Sequence, residues 1–148
     1  AACTGVMRHA FDIAFEFAKR DKRSGTVPVI EHQNVGYMLA DLKMRIEAAR
    51  YLTWKACHQL DYSERRSDEL AIMTKIYASE LCVQVVYDAM RLVGVDSYTD
   101  LSPLSGLIQD ALCFPLYDGG NMGVRRRQLH QRFMRAGYDP MASAEGRG

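Results

Sequence analysis

The sequence predicts an all-α fold: an antiparallel, up-and-down four-helix bundle with long helices and short loops. Three observations carry this. Apolar residues recur every three to four positions over long stretches, which lays them along one side of a helix. No stretch alternates with a period of two for long enough to make a strand. The four prolines, Pro28, Pro103, Pro115 and Pro140, all stand between the periodic stretches, where a residue without an N–H does no harm.

The first helix is expected from about Cys3 to Lys22, with Val6, Ala10, Ile13, Phe17 and Ala18 on its apolar side; "KRSGTVPV" then breaks the pattern. The second runs from about Asn34 to Leu60. Val35, Met38, Leu39, Leu42, Ile46, Ala49, Leu52 and Ala56 form its seam, opposite Asp41, Lys43, Arg45, Glu47 and Arg50. The third, about Ser67 to Val93, opens on Ser67, Asp68 and Glu69, residues suited to a helix N-terminus. Leu70, Met73, Ile76, Tyr77, Leu81, Val85, Val86 and Ala89 make it apolar on more than one side, the mark of a central helix. Gly94 suits its end. A short helix is expected from Pro103 to Leu112 and a last one from about Asn121 to Arg135. Residues 1–137 then form one domain, and "PMASAEGRG" within a 138–148 tail reads as frayed.

Bulk composition narrows the class. The 148 residues suit one domain, and 48% of them are hydrophobic, enough for a real core. Nineteen basic residues face 18 acidic ones, a net charge of +1, so there is no global attraction for nucleic acid or an anionic membrane. No uninterrupted apolar run approaches about 18 residues, so no membrane-spanning helix is expected, and the start lacks a signal-peptide pattern. Cys3, Cys57, Cys82 and Cys113 are scattered, which favours reduced thiols in a cytoplasmic compartment over disulfides or zinc. His9, His32, His58 and His130 make no metal-binding pattern. Trp54, near Tyr51, suits core or interface packing.

Three segments have the residue types for chemistry. "KRDKRSGTVPVIEHQ" puts Arg23 and other basic groups with Gly25, His32 and Gln33 between two helices; guanidinium forks pair with phosphate oxygens, though a solvated basic helix end explains the same residues. "RLVGVDSY" carries Gly94 and Val95 and reads alone as a capped helix end. "YDGGNMGVRRR" sets Asp118 beside two glycines, with Arg125 seven residues on, about two helical turns away and able to share its side. Asp118 is either a turn-and-cap residue or a carboxylate base beside a cation. Arg126 and Arg127 read as solvated or interface charges.

Taken in order, "AFDIAFEFAKRDKRSG", "IEHQNVGYMLADLKMRIEAAR", "KIYASE", "AMRLVGVDSY" and "YDGG…R" resemble the C-terminal helical domain of the acyl-CoA dehydrogenase superfamily, over residues 6 to 135. The resemblance implies a helical bundle that follows an N-terminal helical domain and a middle β domain. It also implies FAD held between domains and across a subunit boundary, usually in a homotetramer. In that family the catalytic base is typically a glutamate in a Tyr-Glu-Gly-Thr pattern, with an arginine seven residues on. Here the pattern is Tyr117-Asp118-Gly119-Gly120 with Arg125. Together with "TWKA" and "TKIY", this is similar to the nitroalkane oxidase branch.

That likeness implies that Asp118 takes the α-proton of a nitroalkane and that Arg125 holds it and favours its charged form. The flavin oxidises the carbanion, giving an aldehyde or ketone, nitrite and hydrogen peroxide. Arg23, His32 and Gln33 are then expected at the FAD diphosphate, Gly94 and Val95 near the flavin of a neighbouring subunit, and Asn121 near the flavin as well. Two alternatives stand beside this reading: an acyl-CoA dehydrogenase that carries aspartate, and a non-catalytic oligomerisation bundle.

Overall fold

The computed structural model describes residues 1–23, 25–62 and 68–145. It is all helical among these residues. Five α-helices are present: α1 (Ala2–Arg20), α2 (Gln33–Tyr62), α3 (Glu69–Val93), α4 (Pro103–Cys113) and α5 (Arg126–Phe133). Short 3-10 turns, Val29–Glu31 and Val95–Tyr98, lead into α2 and toward α4, and a π-helical segment, Gly120–Arg125, leads into α5.

α3 is the central helix and packs against α1, α2 and α4. Cross-helix bonds give the directions. Cys82 Sγ donates to Cys3 O at 3.6 Å, and Arg23, just past α1, donates to Val93 O, so α1 and α3 run the same way. Arg45 meets Asp88 at 2.7 Å while Thr74 Oγ1 meets Leu52 O at 3.5 Å, so α2 runs against α3. Lys75 donates to Phe114 O at 2.7 Å, near the start of α3 and the end of α4, so α4 also runs against α3.

Period and burial agree closely on α2, where Leu39, Leu42, Ile46, Ala49 and Ala56 are buried as expected. On α1 the buried line is Thr4, Met7, Ala10, Ala14 and Ala18, while Val6, Ile13 and Phe17 pack at its margin. The small alanines let α1 lie close against α3, and close approach decides which side turns inward. α3 buries Leu70, Ile76, Leu81, Val85, Val86 and Ala89 on several sides, but Tyr77 is exposed. Each fully buried aliphatic side chain contributes about 1.5–3 kcal/mol. α3 is also long and apolar enough to cross a membrane by composition, unlike the expectation from uninterrupted runs; 56% of that stretch is buried inside the bundle.

The ends differ from expectation in three ways. The Ser67 cap lies outside the described residues; at the N-terminus of α3, Asp68 makes no cap and instead pairs with Arg132. α4 begins as expected, with Ser102 Oγ accepting from Leu104 N at 3.3 Å. The last helix begins as a π segment, which follows directly on the positive-φ residues Asp118 and Gly119. The expected fraying does not extend to residues 138–145, which dock back: Tyr138 OH donates to Glu69 Oε1 at 2.7 Å, Lys55 Nζ donates to Ala144 O at 2.9 Å, and Ser143 is buried. Trp54 is not in the core; it stands exposed, edge-on to Tyr51 with ring centroids 5.4 Å apart.

Candidate active site

α4 ends at Cys113, and the chain must reverse to reach α5. It does so in three consecutive left-handed residues: Asp118 at φ +56°, Gly119 at +81° and Gly120 at +67°. Glycine reaches this region at little cost, and aspartate tolerates it better than most side chains. A Cβ on Gly119 would stand 3.0 Å from Val124 Cβ, so glycine is needed there for space as well. Asn121 N then donates to Pro115 O at 2.9 Å and closes the loop.

Arg125 reaches back across this turn. Its Nη2 donates to Asp118 Oδ2 at 2.5 Å and to Asp118 O at 3.0 Å, and its Nη1 donates to Gln128 Oε1 at 3.1 Å. The pair was expected to share one side of a helix. Asp118 instead precedes the helix, and the wider i-to-i+5 turn of the π segment brings Arg125 around to it. The Arg125 side chain is 21% exposed and the Asp118 side chain 58%. A held cation thus presents an open carboxylate, the arrangement a general base needs.

α3 supports the turn from below. Asn121 is 2% exposed. Its Nδ2 donates to Ser79 Oγ at 2.8 Å and Glu80 Oε1 at 3.2 Å, and its Oδ1 accepts from Lys75 Nζ at 3.0 Å. Expected near the flavin, Asn121 has its side-chain amide engaged by α3 on both its nitrogen and its oxygen. Arg126, expected as a solvated or interface charge, makes a two-point pair with Glu80 at 2.6 and 2.8 Å. That pair, with help from Asn121 and against burial, lowers the Glu80 pKa. Sequence reasoning missed Lys75, Ser79, Glu80 and Gln128. "KIYASE" carried the first three, but only the turn laid across α3 shows what they hold.

A second group lies at the other end of α3. Arg23, at φ +44°, bonds Val93 O, meets Asp96 Oδ2 at 3.2 Å and stacks 4.6 Å over Phe17. A Cβ on Gly94 would stand 3.3 Å from Arg23 Nη2. Arg23, Gly94 and Val95 are therefore brought together. His32 and Gln33 lie exposed at the adjoining start of α2, where Gln33 bonds Tyr37. From Lys75 to Val93 is 18 residues of α3, about 27 Å at 1.5 Å per residue. The two groups of expected site residues therefore stand at opposite ends of the bundle.

The Acyl-CoA dehydrogenase, C-terminal domain family model matches residues 1–134. The chain belongs to the acyl-CoA dehydrogenase family. Within it, the chain is 43% identical to the nitroalkane oxidase of Podospora anserina over 147 residues, 96% of this chain and 34% of that protein. It is 40% identical to the nitroalkane oxidase of Fusarium oxysporum, over 99% of this chain and 34% of that protein. The solved Podospora anserina enzyme superimposes with a TM-score of 0.91 at 40% identity, covering 97% of this chain and 34% of that one. Another solved nitroalkane oxidase, an active-site aspartate-to-asparagine mutant crystallised with 1-nitrooctane, superimposes with a TM-score of 0.92 at 39% identity over the same shares. Butyryl-CoA dehydrogenase of Megasphaera elsdenii follows at 0.80 and 28%, over 90% of this chain and 34% of that one. This acyl-CoA dehydrogenase family bundle thus spans about a third of the length of the relatives it matches.

Proposed function

We propose that this bundle is the C-terminal part of an FAD-dependent nitroalkane-oxidising enzyme, in which Asp118 is the base. The Asp118–Arg125 pair carries the reading, with the likeness to two nitroalkane oxidases behind it. A nitro group acidifies the neighbouring carbon, so a carboxylate suffices as base without a metal. The α-proton passes to Asp118 Oδ, and the C–H electron pair stays on the nitroalkane as the nitronate anion. Arg125 keeps the carboxylate aimed and offsets its charge before transfer. The bound FAD supplies the redox chemistry: two electrons leave the substrate carbon for oxygen, which becomes hydrogen peroxide, while nitrite departs and water supplies the product carbonyl oxygen.

The residues fit the cofactor in two separate places. At one end, exposed Asp118 would meet the flavin; at the other, the Arg23 guanidinium with Gly94, Val95, His32 and Gln33 would hold another part of the FAD, the diphosphate for Arg23, His32 and Gln33. A phosphate at Arg23 would displace Asp96, whose side chain is 65% exposed. A ribityl chain is much shorter than the roughly 27 Å between these ends. One chain's Asp118 and another chain's Arg23 therefore serve the same FAD, which supports a homo-oligomer, a tetramer in this reading. The exposed Tyr37, Met44, Tyr51 and Trp54 along α2 offer apolar surface for such packing. The isolated bundle should not turn over substrate. The compartment we propose is the cytoplasm.

Acyl-CoA dehydrogenation is the second reading, favoured by the overlay on butyryl-CoA dehydrogenase. A purely structural bundle is disfavoured by an aspartate held in a left-handed conformation against a committed arginine. Full-length holoenzyme given nitroethane or butyryl-CoA separates these readings. Nitrite release with oxygen uptake is expected from nitroethane. Flavin bleaching by the thioester alone overturns the proposal.

A further inference from the structure

We propose that Lys75 is a positioning residue for Asp118, a role that rests on Asp118 being the base. The ammonium sits where the two ends of the Asp118 loop meet. Its Nζ donates to Phe114 O at 2.7 Å, at the loop's start, and to Asn121 Oδ1 at 3.0 Å, at its end. Its third side faces the Tyr117 ring, 5.1 Å from the centroid, one residue before the base. A single side chain thus staples residues 114 and 121 and touches the residue beside Asp118.

The loop needs such a staple. Asp118, Gly119 and Gly120 are all left-handed, and Asp118 persists there only while its surroundings hold it. Its own side chain is exposed and cannot anchor the backbone by packing. Arg125 grips the carboxylate from the α5 side, and Lys75 fixes the loop from the α3 side. The arrangement also sets two cations about one carboxylate. Burial pushes Lys75 toward its neutral form and Arg125 adds to this, while the Asp118 charge acts the other way. The Asp118 charge therefore favours the charged form of Lys75. The methylenes of Lys75 span from α3 to the loop, which a shorter cation at this position could not do.

The test uses full-length holoenzyme and two substrates, neutral nitroethane and the preformed ethyl nitronate, which needs no base. Lys75→Met is expected to lose about 10- to 100-fold in kcat/KM on nitroethane, the scale of a small misplacement of a reacting group, and to keep nearly wild-type activity on the nitronate with an unchanged flavin spectrum. Lys75→Arg should recover part of the loss. If Lys75→Met yields no holoenzyme, Lys75→Gln, which keeps two donors and loses the charge, reads the same split. Equal losses on both substrates, or none on nitroethane, overturn the assignment. Asp118→Asn is run alongside: if it spares nitroethane, the base itself is wrong, and that failure is separate from a failure of Lys75.

Discussion

Arg125 holds Asp118 twice, by its carboxylate at 2.5 Å and by its own main-chain carbonyl at 3.0 Å, across a π-helical turn. The second bond matters as much as the first. A bond to the carboxylate alone would allow the side chain to rotate with its partner. A bond to the carbonyl as well ties the guanidinium to the backbone that sets where the side chain starts. The open oxygen of Asp118 is then presented in one place, at the edge of a loop pinned to α3 through Asn121.

Asp118→Asn should remove the proton acceptor while leaving the turn intact, since asparagine also tolerates positive φ. The expected result is a loss of about 100-fold or more on neutral nitroalkane, with oxidation of the preformed anion largely kept. Stopped-flow reduction of the flavin by each substrate reads the difference. Equal loss on both would mean that Asp118 is not the base.

Arg125→Lys keeps the charge but loses the fork. One ammonium cannot reach Asp118 Oδ2, Asp118 O and Gln128 Oε1 in the geometry the guanidinium uses. A drop of about 10- to 100-fold in kcat/KM on nitroethane is expected, and little change on the anion. Wild-type activity in the variant would show that charge alone suffices.

The two glycines after Asp118 should respond unequally to alanine. Both have positive φ, but a Cβ at Gly119 meets Val124 at 3.0 Å, while at Gly120 the nearest atom is 3.8 Å away. Gly119→Ala should cost about 1–3 kcal/mol, and Gly120→Ala clearly less. Thermal melts of the two variants check this; a larger shift at Gly120 would mean that the Val124 contact does not set the turn.

The Glu80–Arg126 pair predicts a pH dependence. Arg126 lowers the Glu80 pKa in the folded chain below its ordinary 4.5. A carboxylate with a lowered folded pKa adds stability above that ordinary value and loses it as pH falls through the folded one. Wild type should therefore be more stable than Glu80→Gln above about pH 4.5, and the gap should close on further acidification. Denaturant melts at several pH values measure it. A gap that is constant with pH would remove the ion pair from the account.

Much of this was legible in the chain. Helical spacing marked α2 and α3, most of the buried residues of α2 and about half of those of α3, because a regular helix repeats its neighbours at fixed intervals. The spacing of Asp118 and Arg125 marked the two residues that the turn brings into an ion pair. It did not show how they meet, because three left-handed residues and a π turn replace the regular helix that the spacing assumes. Arg126 read as a solvated or interface charge, and Glu80, 46 positions earlier, proved to be its partner.

By itself, then, the sequence determined the helices, their central member and the residue types available for proton transfer, all properties of local periodicity and side-chain chemistry. Tertiary structure decided three other things. It brought Arg23 against Val93 and Gly94, 70 residues away, and it spent Asn121 on α3 rather than leaving it open. It also set the Arg23 end and the Asp118 end at opposite ends of one helix. These depend on which helices lie side by side and in which direction, and that follows from the packing of whole apolar surfaces rather than from any single stretch of residues.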